Sequence, residues 1–272
     1  MPVNEINQIL LATLQGLTEF LPVSSSGHLI LFSKFTDFPD QGITFDVAVH
    51  VGSIMAVIIY FWRDILDILK GLWQSRFFPK FNIPGAKLGW LIVIATIPAV
   101  IIGLALKSYG LENLRNSELI GWNLVIYGII LYIADKLGKT TRKTGDLNVK
   151  DAIILGFAQC LALIPGTSRS GITITAARFL GLERREAAKF SMLLSIPTIA
   201  GAGLLMALEL AGNGNISEIF AACHGVIYSF IASILAIFVM MSWLKKWSFA
   251  PFVIYRLALG GYLLLNAYGF IS

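Results

Sequence analysis

Apolar positions in this chain fall in long unbroken blocks, with polar residues gathered between them. Runs at 88–106, 119–134 and 225–244 approach or reach the length that crosses a bilayer as helix. The pattern predicts six spanning helices, at about 43–62, 88–107, 118–135, 188–208, 222–244 and 249–270. Two further apolar stretches, around 6–20 and 151–164, are only about 15 residues each, roughly 22 Å as helix against a hydrocarbon core of about 30 Å. Each runs into a Pro-Ser-Gly turn and then another short apolar piece. That length suits a hairpin that dips into the membrane and returns.

Composition agrees: 56% of residues are hydrophobic and 14% charged, with mean hydropathy +0.76. A soluble domain of this size carries more charge. The net charge of +5 therefore reads through loop placement rather than as a nucleic-acid footprint. Lys and Arg crowd the 63–87, 136–150, 183–189 and 245–248 connections and are sparse in 107–118 and 209–221. Placing the basic loops in the cytoplasm makes 151–182 start and end inside, hence re-entrant. The same reading of the first hairpin turns both termini outward. The expected fold is an all-α polytopic membrane protein, one domain over 1–272. It is an inverted-topology repeat of six transmembrane helices plus two re-entrant helical hairpins. Its halves are about 1–135 and 151–272, joined by the basic loop 136–150. The first Lys or Arg is Lys34, so a cleavable signal peptide is not expected. Cys160 and Cys223 are isolated in apolar stretches and are expected only to pack.

The two hairpins carry matching polar devices. The first is Gln15-Gly-Leu-Thr-Glu19-Phe-Leu-Pro22-Val-Ser24-Ser25-Ser26-Gly27-His28; the second runs from Gln159 to Pro165-Gly-Thr167-Ser168-Arg169-Ser170-Gly171. Gln15 and Glu19 share a helix face, and a carboxylate there needs a polar cavity or a partner. Pro22 ends the helix. A new helix starting in the serine cluster would present free amides to an anion. Capping alone would use one hydroxyl; three serines and His28 exceed that need. Arg169 keeps its charge and offers a donor fork suited to phosphate oxygens; a permanent ion pair with Glu19 is the plainer reading, and the two are compatible. Asp46 and His50, four apart, read equally as an interfacial pair or as part of a site. Arg256, seven residues into the last span, reads as an ion pair or a diphosphate contact.

These residues resemble the undecaprenyl-diphosphate phosphatase family, also called bacitracin-resistance proteins. The resemblance runs over essentially the whole chain and rests on the 15–28 motif, the 165–171 motif and Pro251-Phe-Val-Ile-Tyr-Arg256. It implies a bacterial inner-membrane hydrolase, its site open to the periplasm. Such an enzyme converts the lipid carrier diphosphate to the monophosphate and inorganic phosphate, recycles the carrier for peptidoglycan synthesis and confers bacitracin resistance. The family's (Glu/Gln)-xxx-Glu motif falls on Gln15 and Glu19, its serine turn on Ser24, Ser25, Ser26 and His28, and its arginine turn on Ser168, Arg169 and Ser170. Gln at the first position weakens a two-carboxylate metal site. Combining residues and resemblance, the expected catalytic set is Ser25, His28, Glu19 and Arg169, with Ser25 as nucleophile and His28 as nucleophile left open. Substrate contacts are expected from Gln15, Ser24, Ser26, Gly27, Thr167, Ser168, Ser170, Gly171 and Arg256. A divalent cation, Mg²⁺ or Ca²⁺, is expected to be held partly by Glu19. The expected partners are a polyprenyl diphosphate lipid and the bilayer, with no nucleic acid; a homodimer is compatible.

A polyprenyl-phosphate transporter or flippase would use the same architecture, but needs no nucleophile beside a base. The lipid phosphatases with a Pro-Ser-Gly-His motif are echoed by Ser25-Ser-Gly-His28, yet no later His follows Arg169 at the required spacing.

Overall fold

A computed structural model describes residues 5–36, 43–109, 116–210 and 216–271. Among these residues the fold is all helical: α1 (Glu5–Thr18), α2 (Ser25–Thr36), α3 (Ile43–Tyr60), α4 (Trp62–Gln74), α5 (Pro84–Tyr109), α6 (Ser117–Leu137), α7 (Val149–Cys160), α8 (Arg169–Phe179), α9 (Arg184–Leu210), α10 (Ile216–Trp243) and α11 (Ala250–Ala267). Four of the described helical segments are long and apolar enough to cross a membrane: Pro84–Leu106, Ser117–Leu137, Ala222–Trp243 and Ala250–Ala267. They coincide with four of the predicted spans. On α5, Val93, Ile97, Ile101 and Leu104 form an exposed apolar stripe, the surface expected toward lipid.

The predicted segments 43–62 and 188–208 fall on α3 and α9. Helix α3 passes the same length and apolarity test only together with α4, which bends away from it by 82°. Helix α9 has 27 residues, ample length, and its first half sits inside the bundle, the helix packing against α3, α5 and α8. Ala187, Ala188, Phe190, Met192, Leu193 and Leu194 are buried on successive faces. A helix surrounded by protein can carry Ser191, Ser195 and Thr198 without exposing them to lipid.

The short helices pair as hairpins, α1 with α2 and α7 with α8. At 14, 12, 12 and 11 residues none reaches the roughly 20 residues that a span requires. Each first arm leans on a long helix outside its own hairpin, α1 on α10 and α7 on α5. Gly16 makes the first approach possible: a Cβ there would lie 2.4 Å from the Ser229 carbonyl oxygen. Ser233 Oγ then donates to the Gly16 carbonyl at 3.0 Å.

All four basic connections meet at one end of the bundle. Lys87 Nζ donates to the Gly145 carbonyl at 2.7 Å, Glu186 accepts from both Thr144 N and Thr144 Oγ1, and Lys189 pairs with Asp64. Asp135 is the hub. Its Oδ1 takes Arg178 Nε at 3.2 Å and Arg184 Nε at 2.7 Å, and its Oδ2 takes Phe249 N at 3.2 Å. Arg178 is completely buried and also donates to the carbonyls of Asp135, Gly138, Lys139 and Leu182. One carboxylate thus fixes the base of the second hairpin to α6, α9 and the start of α11.

Asp135→Ala leaves a buried guanidinium without its counter-charge, a loss of about 3–5 kcal/mol. The expected result is a clearly lowered thermal unfolding midpoint in detergent, whereas exposed Lys136→Ala should shift stability by no more than about 0.5 kcal/mol.

Candidate active site

The end of α1 carries the carboxylate. Glu19 N donates to the Gln15 carbonyl at 2.9 Å, so Glu19 closes the last turn and both side chains lie on one face. Pro22 lies in the turn before α2, and Val23 N folds back to the Leu21 carbonyl at 2.7 Å. Ser24 then takes φ 75°, a region sparsely used by residues with a Cβ. The second hairpin repeats this. Gly166 has φ 88° and Ser168 φ 72°, and α8 starts at the next residue. Ser24 Oγ accepts from Gly27 N at 3.4 Å, and Ser168 Oγ accepts from Gly171 N at 3.0 Å. Each serine caps its helix start. Two non-glycine residues in this conformation at corresponding places mark the turns as constrained.

The turns face each other. Ser170 Oγ, itself 3.1 Å from Ser168 Oγ, donates to the Leu21 carbonyl at 2.8 Å. Arg256 is completely buried between them. Its Nη1 donates to the Pro22 carbonyl at 3.3 Å; Nη2 reaches Asn123, Gly166 and Thr167 carbonyls at 3.2, 3.1 and 3.0 Å; Nε reaches Leu124 at 3.2 Å. Gly171 must lack a Cβ here, since one would stand 2.8 Å from Arg256 Nη1. All three guanidinium nitrogens are therefore engaged with backbone.

Glu19 is the meeting point of the site. Its Oε1 accepts from Arg169 Nη2 at 2.6 Å; its Oε2 accepts from Gln15 Nε2 at 2.5 Å and Ser25 Oγ at 2.8 Å. The carboxylate is buried, and so are Gln15 and most of Arg169. Three buried polar atoms among the described residues have no partner: Gln15 Oε1, Thr167 Oγ1 and Arg169 Nη1. Each belongs to the turns or to the helix end facing them. Leaving such atoms unpaired costs about 1–3 kcal/mol each, so a set of them in one region is what a ligand-binding site presents before it is filled. One carboxylate against two guanidiniums gives the turns a positive balance.

His28 stands apart from this cluster. Its Nδ1 lies 2.7 Å from the Ser24 carbonyl and its Nε2 2.5 Å from Tyr255 Oη, the two rings stacked at 5.5 Å. A carbonyl only accepts, so in the neutral ring Nδ1 carries the proton and Nε2 accepts from the tyrosine. Both nitrogens are thus committed. The Ser26 side chain lies outside the described residues. Gly27 and Gly171 contribute through their backbone.

Two participants, His50 and Tyr255, lie outside the expected catalytic and substrate-contact sets, although the sequence left a site role open for His50. His50 uses Nδ1 on the Asp46 carbonyl at 2.6 Å and points Nε2 at Glu19 Oε2, 3.8 Å away. Its side chain is 34% exposed beside a carboxylate that is 6% exposed. The spacing of Asp46 and His50 read equally as an interfacial pair or as part of a site, and the sequence offered no sign that α3 would turn His50 toward α1. Tyr255 had one available signal, its place beside Arg256 in the last motif.

Comparison with known proteins agrees over nearly the full length. Residues 8–262 match the model of the family described as bacitracin resistance protein BacA. A protein named undecaprenyl-diphosphatase from Dinoroseobacter shibae is 49% identical over 96% of this chain and 97% of its own. Proteins of the same name from Roseobacter denitrificans (49% identical; 96% and 97% covered) and Alteromonas mediterranea (47%; 94% and 96%) align equally fully. With its paired Pro-Ser-Gly turns meeting at one carboxylate, this chain belongs to the bacitracin resistance protein BacA family.

Proposed function

We propose that this protein hydrolyses undecaprenyl diphosphate to undecaprenyl phosphate and inorganic phosphate, recycling the carrier and conferring bacitracin resistance. The observation that carries the proposal is the Ser25–Glu19–Arg169 line, with a hydroxyl donating to a carboxylate that is itself held by a guanidinium with a spare donor. A binding protein needs the guanidinium; only a reaction needs the hydroxyl on the base.

In this mechanism the terminal phosphate takes the free donors Arg169 Nη1 and Thr167 Oγ1 and the amides at the start of α8. Ser25 Oγ attacks phosphorus as its proton passes to Glu19 Oε2. The new Oγ–P bond forms while the anhydride P–O bond breaks, and the prenyl monophosphate leaves. Water then attacks the phosphoserine. Its proton goes to His50 Nε2, on the exposed side of the carboxylate, and Glu19 returns its own proton to Ser25 Oγ. Glu19, and not His28, is the base for Ser25, because both ring nitrogens of His28 are already bonded. In this reading His28 and Arg256 shape the turns, and the serine caps keep the amides pointed at the phosphate.

The donor set suits a divalent cation in part. Glu19 supplies a carboxylate and Gln15 Oε1 is a buried acceptor without a partner. No group of three or more His, Cys, Asp or Glu side chains that could hold a metal occurs among the described residues. Mg²⁺ or Ca²⁺ would therefore rely on Glu19, Gln15, water and the substrate's own oxygens, the usual arrangement for Mg²⁺. Its contribution would be to offset diphosphate charge.

The topology proposed with this function is the inverted repeat, with α1–α6 and α7–α11 as its halves. The matched Ser24 and Ser168 conformations and the exchanged contacts of α1 with α10 and α7 with α5 support it. The single basic end supports a cytoplasmic placement for that end, with both termini and the opening of the site on the periplasmic side.

Phosphate release from a prenyl diphosphate by purified protein tests the function. Ser25→Ala should lose at least about 10³-fold in kcat while still binding lipid, and Arg169→Lys should lose about 10²–10³-fold. A folded wild type that binds the lipid and releases no phosphate would instead indicate transport.

His50→Ala should slow the second step more than the first. Acid-quenched protein should then hold phosphate on Ser25, with a burst of prenyl monophosphate of about one per site. Full turnover without trapped phosphoserine would remove His50 from the mechanism.

A further inference from the structure

Helix α4 is built unlike every neighbour. Its 13 residues span roughly 20 Å, too short to cross a bilayer, and include Arg63, Asp64, Asp67 and Lys70. It leaves α3 at an angle of 82°. If α3 runs across the membrane, α4 runs along its surface.

The apolar residues of α4 form two adjoining stripes. Ile65 and Ile68 pack against the main core, and Leu72 lies beside Gly89 of α5. Trp62, Leu66, Leu69 and Trp73 follow at i, i+4, i+7 and i+11, one helix face, and all four are exposed, Trp62 at 52% and Trp73 at 75%. The stripe continues beyond the helix. Arg76 and Phe77 both adopt positive φ, 51° and 59°, and Phe77 meets the Trp73 ring edge-on at 6.3 Å. Phe78 is exposed beside it. A turn that uses two unfavourable conformations to extend an uncovered aromatic surface calls for an apolar partner.

The rim of that surface is basic. Arg63, Lys70, Arg76 and Lys80 are all exposed, and Arg63 lies over the Trp62 ring at 5.2 Å. Of the two acids of α4, Asp64 is paired with Lys189, which leaves exposed Asp67 against four exposed cations. An isologous contact with a second copy would bring these like-charged rims together. Phospholipid satisfies both parts at once: acyl chains beneath the rings and phosphates along the cations.

We infer that α4 and the turn after it form an interfacial foot. It lies in the headgroup layer on the side of the basic loops and binds anionic phospholipid there. Catalytic residues are not involved, so the inference stands independently of the phosphatase reading.

Bromine-labelled lipids test it on the full-length chain in vesicles of phosphatidylglycerol and phosphatidylcholine. Trp73 is kept and the other five tryptophans are replaced by Phe. Quenching should be strongest with bromine near the headgroup and fall severalfold with bromine near the chain ends. Brominated phosphatidylglycerol should quench more than brominated phosphatidylcholine at equal mole fraction. Adding Arg63→Gln, Lys70→Gln, Arg76→Gln and Lys80→Gln should erase that lipid preference. A spin label on Trp73→Cys, with Cys160→Ser and Cys223→Ser, reads the same depth if the tryptophan-poor chain does not fold. Deepest quenching at the chain ends, absence of quenching, or a dimer cross-linked through position 73 would each overturn the inference.

Discussion

A helix that stops inside an apolar bundle leaves carbonyls and amides that neither lipid nor bulk water can bind. This chain stops two helices, α1 and α7, and then starts two more within a few residues. Satisfying those turn groups is the constraint on which the site depends. Arg256 meets most of it, bonding one carbonyl from the first turn, two from the second and two from α6. Asn123 Nδ2 donates to the Pro165 carbonyl at 2.7 Å, Thr167 N to Ile164 at 3.3 Å and Ser170 Oγ to Leu21 at 2.8 Å. Each strand of backbone is thereby tied to the other hairpin or to the helix pair α6–α11.

The consequence is a division of labour between two buried arginines. Arg256 is saturated with carbonyls and serves as a rigid spacer. Arg169, given Glu19 on one side, keeps Nη1 without a partner. The first makes the turns meet; the second leaves charge available where they meet. Preorganised donors of this kind need no rearrangement when charge develops on a phosphate.

At the basic end Asp135 performs a parallel task with opposite sign. It gathers Arg178, Arg184 and the Phe249 amide, so the outer end of the second hairpin is held to the same helices that hold its tip. Both ends of the hairpin are fixed by buried charge, and its two short arms do not rely on length for stability. Helix α4 departs from this scheme: one apolar stripe packs against the core and α5, while a second apolar stripe and its charged residues are turned outward.

Long apolar blocks read directly as four of the spanning helices, because crossing hydrocarbon demands length and apolarity that show in any window. Turn chemistry was equally legible: Pro22, Pro165 and the serine-glycine runs dictate where helices end. Helix α9 was legible as a helix, though the burial of its first half inside the bundle was not. The Ser25–Glu19–Arg169 cluster was legible as two motifs expected to share one site, with a Glu19–Arg169 pair among the readings, but not in its geometry. What the sequence by itself determined is therefore local: where helices stop, which residues cap them and which charges must find partners. The tertiary structure alone decided which partners they find. It committed His28 to Tyr255 and Arg256 to five carbonyls, and it brought His50 to Glu19. Those pairings depend on the angles at which α3 and α11 pack against the hairpins, and no spacing along the chain encodes an angle between helices.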